Sequence, residues 1–358
     1  MRNHVDPALL AVAFALPAFA AGPESAPDPP AKTLVRWSFE QAGDLQGWQP
    51  NGHLQGVTAS NGVLSARAVG HDPMFVLTGP LELRASPWQV VEVRLKADRD
   101  GECEWFWSNT SQGRFGGFTQ EKTTRFNVRG DGQWRTYSVL PFWHPEAKIV
   151  RLRLDVHDGT QFALESIRIA ELAVPAAATN ATFDFAQGAE GWQAIGGSRP
   201  IAGGEGLRVG FEAAEDFLLA PAVQVDADAD TFVAVRMAVG QGDHGAILFA
   251  TEKGSGLHRL TFPIIADGLE RTYNVDLLRA ANWRGRVVAL GLRPTDAAGA
   301  TARVRSLKVG AEPEGAPQLR VVSFAVADAL PRAGLPATLT GRLSNTGGET
   351  ASNVQCQV

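Results

Sequence analysis

The sequence predicts an all-β chain: two tandem jelly-roll β-sandwiches, followed by the first strands of a third β module. Three observations carry this reading. Short apolar alternations such as Val91-Val93-Leu95, Phe126-Val128 and Val150-Leu152-Leu154 run at period two, and no stretch shows convincing helical periodicity. Gly, Pro and Asp-Gly turns interrupt these runs at strand length. Above all, one pattern occurs twice. Phe126-Asn127-Val128, Asp131-Gly132, Trp134-Arg135-Thr136-Tyr137, Trp143, Leu152-Arg153-Leu154-Asp155 and Ser166-Ile167-Arg168-Ile169 return later. Their counterparts are Phe262-Pro263-Ile264, Asp267-Gly268, Arg271-Thr272-Tyr273, Trp283, Leu290-Gly291-Leu292-Arg293 and Ser306-Leu307-Lys308-Val309. The only two tyrosines, Tyr137 and Tyr273, match at an offset of 136, and Trp143 matches Trp283 at 140. Recurrence over most of a chain is the mark of a duplicated domain.

Taken in order, residues 1–21 read as a secretory signal. Arg2 precedes an apolar run from Ala8 to Leu16, and Ala18-Phe19-Ala20 fits a small-x-small cleavage site. The run is too short to span a membrane, so no transmembrane segment is expected. Residues 22–33 form a Pro-rich linker. The first sandwich is assigned to 34–174, an Ala-rich joint follows, and the second sandwich is assigned to 181–311. Phe183-Asp184-Phe185 with Gly191-Trp192 answers Trp37-Ser38-Phe39 with Gly47-Trp48, and Val233-Val235-Met237 answers Val91-Val93-Leu95. From 318 to 358 a third pattern begins. Leu335-Ala337-Leu339-Gly341-Leu343 alternates, Asn345-Thr346-Gly347-Gly348 turns, and Asn353-Val354-Gln355-Cys356 is expected to start another strand. Two or three strands cannot bury a core, so the chain is expected to be the N-terminal part of a longer protein with downstream domains.

Composition excludes several functions. A net charge of -5 with mixed signs supplies no basic stripe, so nucleic acid is not an expected partner. The 2 cysteines, Cys103 and Cys356, fall in different predicted domains and make no disulfide framework. No zinc spacing, phosphate loop or nucleophile elbow is present. No motif places a carboxylate pair, so no active site is expected in this segment.

Both repeats resemble the galactose-binding-like jelly roll of carbohydrate-binding modules. The matching pieces are Phe39-Glu40 with Gly47-Trp48, Asp72-Pro73, Trp143, Leu152-Arg153-Leu154-Asp155 and Leu164-Glu165-Ser166-Ile167-Arg168-Ile169. The second repeat departs from this at Leu292-Arg293-Pro294, which lacks the aspartate. The tail from Leu319 resembles the start of a CARDB-type immunoglobulin-like module, and so implies an incomplete third β-sandwich. The resemblance also implies a structural calcium ion near the first and last strands, where Glu40 and Glu165 stand in the first repeat. Ala186 and Arg305 replace them in the second, so calcium is expected in the first alone.

Sugar recognition needs a flat apolar surface and planar polar groups. The duplication acts as a control on the 9 tryptophans. Trp48 and Trp143 recur as Trp192 and Trp283, Trp37 matches Phe183, and Trp105 and Trp107 match Ile247 and Phe249, so all are expected in cores. Period two then turns Glu104, Phe106, Arg125, Asn127, Arg153 and Asp155 outward on one sheet face. The matching positions of the second repeat, including Ala246, Leu248, Thr261, Pro263, Gly291 and Arg293, are bland. The long loop Asn109 to Gln120 adds Phe115 and Phe118, which either contact a partner or fold back on the core. Trp143-His144-Pro145 stands at the same rim, with His144 read as structural.

The expectation is thus a secreted protein, periplasmic or extracellular, whose first sandwich holds a polysaccharide or glycoconjugate while the second acts as a spacer. Two alternatives stand beside it. One is a purely structural or protein-adhesion array in which the charged face is a solvated ladder of ion pairs. The other is the accessory region of a glycoside hydrolase whose catalytic domain lies beyond residue 358.

Overall fold

The period-two runs become antiparallel strands in a computed structural model of the chain. It describes residues 31–173, 181–196, 199–212, 216–327 and 338–355. The signal segment 1–21, the linker as far as residue 30 and the Ala-rich joint lie outside the described residues. Strand Ala31–Trp37 takes up the last three linker positions.

Each repeat closes two sheets on one core. In the first, a back sheet runs Arg135–Val139, Gln89–Ala97, Gln161–Leu172, Val63–Ala68, Leu54–Ser60, with Ala31–Trp37 also on Gln161–Leu172. The front sheet runs Trp48–Pro50, Met74–Leu77, Arg151–Asp155, Gly101–Ser108, Thr123–Val128. The second repeat has the same order. Its back sheet is Arg199–Gly203, Gly206–Gly210, Thr301–Gly310, Phe232–Val239, Arg271–Asp276, with Thr182–Asp184 on Thr301–Gly310. Its front sheet is Gln193–Ile195, Phe217–Leu219, Arg286–Arg293, His244–Thr251, His258–Pro263.

The duplication holds to single residues. Trp37 pairs with Ile167 as Phe183 pairs with Leu307. Glu165 and Arg305 are each skipped in the ladder with the neighbouring strand, so each is the extra residue of a β-bulge. The Tyr137 hydroxyl accepts from Arg129 N–H at 3.0 Å, and the Tyr273 hydroxyl from Ile265 N–H at 3.2 Å. Gly132 (φ 71°) and Gly268 (φ 75°) supply the left-handed turn before each tyrosine strand.

The tryptophans shared by the repeats are core. Trp48 lies 5.4 Å from Trp37 and 6.0 Å from Trp105, and Trp107 meets Trp143 edge-on at 6.0 Å. In the second repeat Phe249 takes the place of Trp107 against Trp283 at 4.9 Å. Such edge-to-face pairs add about 0.5–1.5 kcal/mol beyond area burial.

The sandwiches also pack on each other. Val90, Leu140, Phe142, Ala170 and Leu172 on the first repeat's side form one buried cluster with Ile195, Phe217, Leu219, Leu248, Ala250 and Ala289 of the second front sheet. Gly256 N–H donates to Phe142 C=O at 3.1 Å, and His144 Nε2 reaches Thr251 C=O at 3.0 Å. His144 is therefore a joint residue, its pKa lowered by burial.

After the second sandwich, Leu319–Val326 and Leu339–Asn345 form an antiparallel hairpin. Asn274 Nδ2 donates to Glu314 C=O and Thr346 C=O, both at 2.8 Å, and Gln318 Nε2 to Thr272 C=O at 2.6 Å. The strand expected at Asn353-Val354-Gln355 is absent: residues 351–355 are irregular, and Cys356 lies outside the described residues. Alternation alone does not make a strand without a neighbouring ladder to pair with.

Candidate functional site

The front sheet of the first sandwich sorts its side chains by pleat. Cys103, Trp105 and Trp107 turn inward and are buried, while Glu102, Glu104, Phe106 and Ser108 line the opposite face. Cross-strand register sets Glu104 opposite Arg125 on one side and Asp155 on the other, and Phe106 opposite Arg153. The expected residues Glu104, Arg125, Phe106, Arg153 and Asp155 therefore do converge.

Their arrangement differs from an open groove. Arg125 Nε donates to Glu104 at 2.7 Å and its Nη1 to Glu102 at 3.0 Å. Arg153 forks onto both Asp155 oxygens at 2.5 Å and reaches Asp72 at 2.6 Å. Its guanidinium lies 4.7 Å from the Phe106 ring centre. Phe118 covers the other part of Phe106 at 6.4 Å, and Arg151 sits 5.0 Å over Phe118. Two rings are thus layered between two guanidinium groups, a cation–π stack that shields both rings from water.

The sequence expectation that Phe106 presents its ring to a ligand is corrected here, and of the two alternatives for Phe118, contact with a partner or folding back, the structure takes the second. Phe106 is 2% exposed and Phe118 7%. Burying a phenyl ring stabilises by about 1.5–3 kcal/mol, so the loop folds back. Phe115 does the reverse and is 69% exposed, with the Arg114 guanidinium 4.7 Å over it. Gly116 is required: its φ is 66°, and a Cβ there would lie 1.6 Å from Arg151 Nη1. Phe115 itself stands at φ 55°, a left-handed conformation held by its glycine neighbours.

Burial governs the charges on this face. Desolvation pushes the Asp155 carboxyl up to about 6, against the pull of Arg153. Behind it, burial pushes the Cys103 thiol up to about 12, so that free thiol stays protonated and inert.

Asn127 lies apart, at the sheet edge, on a cleft of about 310 Å³ between the repeats. Arg129, Trp134 and Tyr137 line it from the first repeat, and Glu212, Asp216 and Phe217 from the second. Sequence reasoning overlooked Trp134, which is only half-buried and carries the Lys96 ammonium 4.9 Å over its ring. The signal was available, since register puts Glu270 at the matching place in the second repeat.

The pair expected to hold calcium does not form a cage. Glu165, turned by its bulge, is ion-paired to Arg94. Glu40 approaches Gly62, and no group of three or more His, Cys, Asp or Glu side chains among the described residues is placed to hold a metal.

The second repeat's matching face is closed. Ala246, Leu248, Ala250, Ala289 and Gly291 replace Glu104, Phe106, Ser108, Arg151 and Arg153, and all are buried. A Cβ at Gly291 would stand 3.2 Å from Phe217 Cδ2, so glycine makes room for the ring that covers it.

No protein-family model matches the chain, and no curated protein matches it. Similar solved structures include the N-terminal CBM22-1–CBM22-2 tandem domain of Xyn10C from Paenibacillus barcinonensis. It is 13% identical, with 80% of this chain and 99% of that one covered and a TM-score of 0.26. The laminarinase from Rhodothermus marinus is 11% identical over 40% of this chain and 99% of that one, with a TM-score of 0.26. The tandem CBM51 modules of Sp3GH98, a family 98 glycoside hydrolase from Streptococcus pneumoniae, are 7% identical over 77% and 96%, with a TM-score of 0.19. These likenesses are too distant to carry a functional argument. No helix among the described residues is long and apolar enough to cross a membrane.

Proposed function

We propose that the chain is a non-catalytic, carbohydrate-binding part of a secreted protein, attaching it to a polysaccharide or glycoconjugate. One observation carries the reading. Of two equivalent sheet faces, the second is sealed by its neighbour, while the first carries two arginine–carboxylate clusters at its rim and an adjoining loop with the exposed ring of Phe115. Forks already held in place lose little side-chain freedom when they meet sugar hydroxyls, and their outer lone pairs and N–H groups remain available. Phe115 is the stacking ring, whereas Phe106 supports Arg153 from beneath. In this reading the hairpin Leu319–Val326 with Leu339–Asn345 belongs to an immunoglobulin-like module, and the attachment holds the protein close to its substrate.

A second reading is favoured by a separate observation: Glu104, Asp155 and Glu102 all already have arginine partners, as in a solvated spacer face. A glycan array and polysaccharide pull-down with the full chain and its Phe115→Ala/Arg125→Ala variant separates the two. Retention by the wild type that drops about tenfold or more in the variant supports attachment through this face. Retention unchanged by the variant places the attachment away from this face, and no retention at all leaves the spacer reading.

A further inference from the structure

We infer that the back sheet of the first sandwich carries a second site, for an anionic polysaccharide whose charge is borne by carboxylates. It does not depend on the front face, which belongs to the opposite sheet.

The outer side of the back sheet presents Arg36 on Ala31–Trp37, Arg94 and Lys96 on Gln89–Ala97, Arg168 on Gln161–Leu172 and, one strand further out, Arg67 on Val63–Ala68. Two carboxylates answer them. Glu92 accepts both forks of Arg168, at 2.6 and 2.9 Å, and Glu165 holds Arg94. Arg36 is exposed and has no ion pair or hydrogen bond among the described residues, and neither does the ammonium of Lys96, which rests on Trp134. These two cations without a carboxylate partner among the described residues therefore stand on this face. Arg36, Arg94 and Arg168 line a pocket of about 240 Å³ together with Thr136, Ser166 and the Glu92 carboxylate that Arg168 already holds. Thr136 also lines the cleft between the repeats that holds Trp134, so the pocket and the cleft adjoin at this residue.

The spacing selects the ligand. Arg36 and Lys96 are separated by two strand steps and four residues, a diagonal on the order of 15 Å from ordinary sheet dimensions. A single small anion cannot bridge that, but an extended polymer with recurring charges can. Guanidinium forks match planar carboxylates, and the Thr136 and Ser166 hydroxyls suit sugar hydroxyls between the charges. Nucleic acid fits poorly. Base stacking asks for a row of open rings, and here Trp134 is the single ring, with a cation over it. The second repeat lacks the site. Register places Thr182 at Arg36, Ala238 at Lys96 and Glu270 at Trp134, and there Lys308 pairs with Glu314 and Arg236 with Glu270.

Affinity electrophoresis of the full chain tests this in gels containing polygalacturonate, chondroitin sulfate, dextran or single-stranded DNA. The variants are Arg36→Ala/Lys96→Ala, whose side chains lie outside both cores, and Phe115→Ala/Arg125→Ala on the front face. Polygalacturonate should retard the wild type, with affinity falling about tenfold or more in Arg36→Ala/Lys96→Ala. The retardation should weaken as salt screens the charges and persist in the front-face variant. No retardation at low salt, or retardation that survives Arg36→Ala/Lys96→Ala, overturns the site. Stronger retardation by chondroitin sulfate or DNA overturns the carboxylate assignment. Loss of neutral-glycan retention in the front-face variant alone bears on the front face and not on this one.

Discussion

The two front sheets share strand order and register and differ in what lies over them. On the first, Glu104, Arg125, Arg153 and Asp155 form a polar ladder that faces water at its rim. On the second, Ala246, Leu248, Ala250 and Gly291 lie under Phe217 and the apolar side of the first sandwich. One scaffold thus tolerates opposite surfaces, because the pleat separates the residues that make the core from those that meet the surroundings. A covered face sheds most of its charges, since an unpaired buried charge costs several kcal/mol, and Arg293, buried at the place of Asp155, is kept only with a partner. An open face can keep them.

The comparison is broken most severely at the joint. Phe142 is 1% exposed and sits in the shared cluster. Phe142→Ala should cost about 3–5 kcal/mol and uncouple the sandwiches, so that one calorimetric transition becomes two. A single transition at an unchanged midpoint would mean that the second face needs no cover from the first.

On the open face, Phe118→Ala should cost about 2–3 kcal/mol in urea unfolding by exposing Phe106. Loss of less than half a kcal/mol (about the size of a surface change) would show that the loop does not seal the ring.

Asp155 gives a smaller, pH-dependent effect. Its folded value, about 6, lies above the ordinary 3.8, so the folded chain favours the protonated form. Its contribution to stability is full below about pH 4 and lost as pH rises through about 6. Denaturation at the two ends of that window should show wild type losing on the order of 1–2 kcal/mol relative to Asp155→Asn. Parallel pH profiles would mean that Arg153 keeps the carboxylate ionised throughout.

The smallest effect belongs to Phe115. Phe115→Ala should change stability by under about 0.5 kcal/mol while altering glycan retention, the opposite of Phe118→Ala. A stability loss equal to that of Phe118→Ala would place Phe115 in the seal and remove it from the binding surface.

Much of this was legible along the chain. The repeat of Trp48 and Trp143 as Trp192 and Trp283 marked them as core, and period two put Glu104 and Arg153 on one face. What stayed hidden was which outward residues meet water. Phe106 and Phe115 look alike in sequence, yet one lies under Phe118 and Arg153 and the other stands free. Trp134 has no tryptophan counterpart in the second repeat, where Glu270 stands, so the duplication alone does not place it in a core.

The sequence by itself determined the duplication, the principal strands of both sandwiches and the inward or outward side of their alternating residues, because these follow from alternation and local turn chemistry. The tertiary structure alone decided that one outward face is open and the other closed. That depends on residues distant in the chain, such as Phe142 and Leu248, meeting across the joint, and alternation carries no information about what a face will meet.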